Sequence, residues 1–185
     1  MYAYGGKNTI FPRGGNFFKD MGKTEVDGSS EHWDWEPQAL STVDSMLKTL
    51  SKTNIAVHIG DISYAVGYSS QWDEFMDQIL PISTNIPYMT CIGNHEFDYP
   101  NFTASLFNTT DSGGECGVPY LNRFIMPTAA KDIAYYSVNY GNVHLLMIST
   151  ETNFSRGSDQ YKFIVQDLAN VNRQVTPWVI IGGHR

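Results

Sequence analysis

Three short apolar runs of strand length, each halted at glycine, set the frame for this chain: residues 55–59 before Gly60, 87–92 before Gly93, and 178–181 before Gly182. Such runs suit buried strands. Segments of helical periodicity separate them. Leu40, Val43, Met46, Leu47 and Leu50 repeat at helical spacing after Pro37, which predicts a helix over 37–52. A second is expected over 70–80, ended by Pro81, and a third begins at Ser158 as N-cap with Tyr161, Ile164, Val165, Leu168 and Val171 on one face. Residues 134–139 and 142–149, joined at Tyr140-Gly141, read as a hairpin. Strands that alternate with helices need crossover connections, so the expected class is α/β, with a largely parallel sheet to which the hairpin adds antiparallel strands.

The remainder is less regular. Residues 98–132 form one long irregular stretch, and a loop of that size in a compact domain is more often functional than idle. Residues 1–35 carry only a hint of a strand at Asn16-Phe17-Phe18, and 1–15 are the least defined of all. With 185 residues, 42% of them hydrophobic, the chain has the length and apolar content of one domain with a sizeable core. No apolar run approaches the ~18 residues of a membrane span, and the first thirty residues lack the pattern of a signal peptide. A net charge of −7 argues against a nucleic-acid backbone as partner. An anionic substrate would need metal ions to offset it.

Two cysteines are too few for a disulfide scaffold; Cys91 reads as a buried thiol, with a Cys91–Cys116 disulfide as the alternative. Sequons at Asn101, Asn108 and Asn153 permit N-glycosylation and tilt the reading toward the secretory pathway.

In open α/β sheets ligands sit beyond the carboxyl ends of the strands. Here those ends are unusually polar: Asp20, then Gly60-Asp61-Ile-Ser-Tyr64, then Gly93-Asn94-His95-Glu96, then His184. Carboxylates, a phenol, an amide oxygen and an imidazole suit hard or borderline cations. Asp61 could bridge two ions, Tyr64 as phenolate favours a trivalent metal, and neutral Asn94 and His184 suit a divalent one. Each also has an ordinary alternative. Asp61 and Asn94 could be turn residues, Tyr64 a packed aromatic and His184 an uninvolved ring; His58 and His144 read as satisfied core or surface histidines, and Glu96 as a loop stabiliser.

Asp20-x-Gly22, Gly60-Asp61-x-x-Tyr64, Gly93-Asn94-His95-Glu96 and Gly182-Gly-His184-Arg185 resemble, in order, four of the five motifs of the purple acid phosphatases, within the calcineurin-like metallophosphoesterases. The tyrosine three places after Gly-Asp is the mark of the purple members. Lesser likenesses lie at Trp72-Asp73-x-Phe75, in the Gly113–Pro119 loop and at Tyr136-Ser137 through His144, so the resemblance covers roughly residues 19–185.

The resemblance implies a partial α/β/β/α sandwich over 16–185, lacking C-terminal strands, with 1–15 as a remnant. It further implies a binuclear centre in which Asp20, Asp61 and Tyr64 hold Fe(III), while Asp61, Asn94 and His184 hold a Zn, Mn or Fe(II) ion. His95 would contact the phosphate and assist the leaving group, and a metal-bound hydroxide would attack a phosphomonoester. The pattern also departs from the family. Lys19 stands where glycine is usual, and the fifth motif, Gly-His-x-His, does not follow, so the chain is expected to be an incomplete form that binds metal weakly or not at all. The full-length form is expected to be extracellular, acting on a small phosphate ester, with a homodimer as one expectation. The rival readings are a phosphodiesterase, pyrophosphatase or nucleotidase of the same fold, and a catalytically dead glycoprotein.

Overall fold

The structure of the chain is a computed structural model; it describes residues 37–185, with side chains from Thr42 onward. The expected strand at 16–18, the 1–15 remnant, Lys19 and the ligand candidate Asp20 lie outside the described residues. Among the described residues two compact units emerge, 37–56 with 68–88, and 57–67 with 89–185.

The first unit is helical. Helix α1 (Pro37–Thr49) continues into a 3-10 turn (Leu50–Lys52) and packs on α2 (Ser69–Ser83). Trp72, Phe75, Ile79 and Ile82 recur at helical spacing on α2 and are buried. The helix was expected to stop before Pro81, yet it runs through to Ser83. Pro81 has no N–H for the Asp77 carbonyl and its ring crowds it, yet the turn beyond still closes: Thr84 bonds the Leu80 carbonyl while Asn85 and Ile86 bond that of Ile82.

The second unit carries the strand ends. Strands β1 (Ala56–Ile59) and β2 (Tyr88–Cys91) form a two-stranded sheet, each slightly shorter than its apolar run. A four-residue helix, α3 (Asn94–Phe97), follows β2, and α4 (Val118–Arg123) interrupts the stretch expected to be irregular throughout. Strands β3 (Tyr136–Tyr140), β4 (Val143–Met147) and β5 (Trp178–Gly182) form a second sheet in that order. The hairpin is antiparallel with Tyr140 opposite Val143, whereas β5 runs parallel to β4 with Met147 opposite Gly182. The crossover between β4 and β5 contains helix α5 (Asp159–Asn170), capped as expected by Ser158, whose Oγ accepts the Tyr161 N–H at 3.1 Å.

Polar anchors set the rotation of α5. Of the expected face Tyr161, Ile164 and Val171 are half-buried, but Val165 and Leu168 are exposed; Gln160 is buried, and Phe163 and Asp167 are half-buried. Gln160 clasps both backbone groups of Ser149, at 2.7 and 3.0 Å. Asp167 pairs with His144 Nε2 at 2.8 Å and accepts the Ser137 hydroxyl, while His144 Nδ1 meets Asn139 Oδ1 at 2.7 Å. His144 is thus a satisfied histidine, as expected.

Ile62, Ile92, Leu146, Met147, Tyr120 and Tyr136 are fully buried, each contributing ~1.5–3 kcal/mol through the area it removes from water. The Tyr136 hydroxyl donates to the Thr90 carbonyl at 2.8 Å, which ties β3 to β2. Cys91 is buried and free, and burial pushes its thiol up to about 12; Cys116 is also free, so the disulfide alternative fails. Strand β5 leaves Trp178, Ile180 and Ile181 exposed, and among the described residues its strand neighbour is β4.

Candidate metal centre

The site is built on two loops that follow β1 and β2. Beyond β1 the chain turns through left-handed backbone, with φ of +75° at Gly60, +52° at Asp61 and +53° at Tyr64. A non-glycine residue in that region costs roughly 1 kcal/mol or more, so something must hold it. Glu96 does. Its fully buried carboxylate accepts the N–H groups of Asp61 (2.9 Å), Ile62 (2.7 Å) and Gly93 (2.9 Å). Burial, with the Asp61 charge beside it, pushes the Glu96 carboxyl up to about 8 against the pull of those three donors. Glu96 is therefore the loop stabiliser that its position suggested.

Two glycines allow the approach of these loops. A Cβ on Gly60 would lie 2.7 Å from His184 Nδ1, and one on Gly93 would lie 2.5 Å from both the amide nitrogen and Oδ1 of Asp61. Neither neighbour is a flexible tip that could yield, because each belongs to the site itself.

On this frame four of the sequence-derived residues meet. Asp61 presents its two oxygens in different directions: Oδ2 accepts the Tyr64 hydroxyl at 2.8 Å, and Oδ1 lies 3.2 Å from His184 Nε2. His184 Nε2 also lies 2.9 Å from Asn94 Oδ1, while its Nδ1 is 2.9 Å from the Ile59 carbonyl at the end of β1. That carbonyl can only accept, so Nδ1 carries the proton and Nε2 faces the two oxygens. His95 donates its backbone N–H to Asp61 Oδ1 at 3.2 Å, and its ring lies 4.2 Å from that of Tyr64. Its Nδ1 is buried without a hydrogen-bond partner among the described residues.

The electrostatics follow from crowding. The hydrogen bond to Asp61 pushes His184 up to about 9. Burial opposes ionisation of Asp61, but the hydrogen bonds from His184 and Tyr64 win and hold it below its ordinary value. A proton on His184 thus stands where oxygen donors outnumber the hydrogens available to them.

That arrangement fits a cation. Octahedral ions with bonds of about 2.1 Å separate neighbouring ligand atoms by roughly 3 Å, the spacing found among these donors. Among the described residues no group of three or more His, Cys, Asp or Glu side chains forms a metal cluster. The convergence instead mixes Asp61 and His184 with a phenol and an amide.

Sequence reasoning gave no role to the supports behind this set. Arg185 Nη2 bonds the buried carboxylates of Asp98 (2.9 Å) and Glu151 (2.6 Å), and its guanidinium lies 4.0 Å over the Phe107 ring. Burial pushes Asp98 up to about 6, with Glu151 adding to the effect. Asp111 Oδ2 accepts the Asn94 side-chain N–H at 2.8 Å.

Fold and site together belong to a known class: residues 20–185 match the calcineurin-like phosphoesterase family, and the chain is a member of that family in its purple acid phosphatase branch. It is similar to the purple acid phosphatase PPD1 from yellow lupin (Lupinus luteus) seeds, with a TM-score of 0.77 and 41% identity over 83% of this chain and 27% of that one. A probable inactive purple acid phosphatase 27 from Arabidopsis thaliana is 46% identical over 91% of this chain, and a nucleotide pyrophosphatase/phosphodiesterase from Hordeum vulgare is 44% identical over the same share. The chain spans 27% of the Arabidopsis relative and 45% of the barley one.

Proposed function

We propose that this chain carries part of a binuclear centre that hydrolyses phosphomonoesters. The observation behind the proposal is the meeting of Asp61, Tyr64, Asn94 and His184 at contacts of 2.8–3.2 Å. Asp61 divides the donors into two sets, Oδ2 with the Tyr64 phenol and Oδ1 with His184 and Asn94, as a carboxylate shared by two ions would. Tyr64 and Asp61, with Asp20, would hold Fe(III); Asp61, Asn94 and His184 would hold Zn, Mn or Fe(II). Such ions, when bound, supply Lewis-acid charge for phosphoryl oxygens and a nucleophile drawn from water at acidic pH.

The chain's own residues do the rest. Glu96 keeps the two loops in register, and the Ile59 carbonyl orients the imidazole of His184. His95, braced on Tyr64, offers an imidazole to the substrate phosphate and a proton to the departing alkoxide, a contribution of ~10²-fold or more. The sequon asparagines Asn101, Asn108 and Asn153 are all exposed, which supports a secreted parent protein.

Cleavage of a phosphodiester or nucleotide pyrophosphate is the second reading, favoured by the barley relative's similarity across 91% of the chain. The test is to load the 185-residue chain with Fe(III) and Zn(II) and record its visible spectrum. Turnover of p-nitrophenyl phosphate, its bis ester and a nucleotide pyrophosphate would then be compared. A tyrosinate-to-iron band that disappears in Tyr64→Phe, with preference for the monoester, supports the proposal. Preference for the bis ester or pyrophosphate supports the second reading. Absence of the band overturns both and leaves a catalytically dead module, whereas absence of turnover alone fits a chain that carries only part of the centre.

A further inference from the structure

The Asn94 side chain is asymmetric in a way that matters. Its carbonyl oxygen can hold a cation and its NH₂ cannot, yet the two ends are nearly the same size, so packing alone does not choose between them. Hydrogen bonding chooses. Nδ2 donates to Asp111 Oδ2 at 2.8 Å, and Oδ1 is left facing His184 Nε2 at 2.9 Å. An ionised carboxylate only accepts, so turning the amide over would set oxygen against oxygen at Asp111 and point NH₂ at the site.

Asp111 is itself held. The Thr109 hydroxyl donates to the same Oδ2 at 2.8 Å. The backbone on either side is fixed by Gly113 N–H on the Thr110 carbonyl and by Ser112 N–H on the Asp98 carbonyl, both at 3.0 Å. Asp98 N–H in turn bonds the Asn94 carbonyl at 2.9 Å. Asn94 and Asp111 are therefore joined twice, through their side chains and through the backbone of Asp98.

We propose that Asp111 is a positioning residue that sets which end of the Asn94 amide faces Asp61 and His184. The inference rests on the metal-site reading for its consequence, though not for its geometry. It gives the irregular stretch after α3 a purpose, since that loop carries the carboxylate that makes Asn94 an oxygen donor. Partners of this kind, which orient a ligand without touching the ion, typically change metal affinity by about 10–100-fold.

The experiment compares the 185-residue chain with Asp111→Ala and Asp111→Asn. In metal-free protein, ¹H–¹⁵N spectra report the Asn94 side-chain amide, assigned by its absence from Asn94→Ala. The expected result is a displaced, slowly exchanging NH₂ pair that reverts to free-amide positions in Asp111→Ala and is partly retained in Asp111→Asn, which still offers an acceptor. Zn(II) titration should show an apparent Kd raised about 10–100-fold in Asp111→Ala and less in Asp111→Asn, with the Fe(III)–tyrosinate band unchanged. Should Asp111→Ala fail to fold, Thr109→Val, which removes one support of Asp111, is expected to shift the same NH₂ pair. An Asn94 amide that does not move in any variant overturns the proposal, as does Zn(II) affinity equal in wild type and Asp111→Ala. A wild-type chain that binds no Zn(II) while the amide responds leaves the positioning role standing and defeats the metal-site reading instead.

Discussion

His184 and His144 make an instructive pair, because each imidazole has both nitrogens engaged and each stands beside a carboxylate. The partners of His144, Asn139 on β3 and Asp167 on α5, belong to regular elements, and Asp167 spends its other oxygen on the Ser137 hydroxyl. Each nitrogen there faces one oxygen. At His184 one nitrogen faces Asn94 Oδ1 and Asp61 Oδ1 together, with Asp61 on a loop held in left-handed backbone and Asn94 at the start of α3. One oxygen to each nitrogen fastens a helix to a sheet; the surplus oxygen at His184 suits a cation. The carboxylate–imidazole distance alone, 2.8 Å in one case and 3.2 Å in the other, would have ranked them the wrong way.

The strongest way to break this contrast is to neutralise each aspartate in turn. Asp61→Asn is expected to weaken metal retention by more than the roughly 10–100-fold typical of an outer-sphere partner, as read by metal analysis after dialysis. Asp167→Asn should retain metal like the wild type and lose about 1–3 kcal/mol of stability in urea. Equal metal loss in the two variants would erase the distinction.

The supports come next. Glu96→Leu leaves three buried N–H groups without their acceptor, so a loss of about 3–5 kcal/mol is expected. Gln160→Leu releases the two backbone groups of Ser149 beside α5 and should cost about 1–3 kcal/mol. Urea midpoints in the reverse order would mean that the helix anchor, and not the loop carboxylate, is the more critical of the two.

The smallest expected effect is on pH dependence. In metal-free protein His184 is raised to about 9 from an ordinary 6.5, so its stabilisation is full below 6.5 and is lost as pH climbs through 9. Glu96 is raised to about 8 from 4.5, which favours its protonated form in the fold and likewise removes stability as pH rises across that interval. Asp61 is lowered and acts only on the acid side, where its stabilisation fades below its ordinary 3.8. Thermal melts of metal-free protein should therefore fall between pH 5 and 9, each kcal/mol lost being worth about 2–4 °C. His184→Gln should flatten the upper part of that slope, and a flat wild-type profile would contradict it.

How much of this was legible beforehand depended on distance along the chain. The glycine-halted strands, the Ser158 cap and the polar strand ends are local patterns, and Asp61, Tyr64, Asn94 and His184 do meet as their ordered spacing suggested. Pro81 misled because the turn beyond it closes on the Leu80 and Ile82 carbonyls, which its missing N–H does not touch. The packed face of α5 was legible in part: Tyr161, Ile164 and Val171 are half-buried as expected, but the polar Gln160 and Asp167 turn inward while Val165 and Leu168 face out. Arg185 lies 87 residues from Asp98 and 34 from Glu151, and no periodicity records such a pairing. Asp111 sits in a stretch without repeat of any kind.

One contact carries a lesson about mutation. The group that orients His184 is the main-chain oxygen of residue 59, which every amino acid possesses. The isoleucine there can drift to another strand-forming residue without disturbing the imidazole, so long as β1 keeps its path. Control of this ring has been entrusted to the part of the polypeptide that codon changes cannot delete.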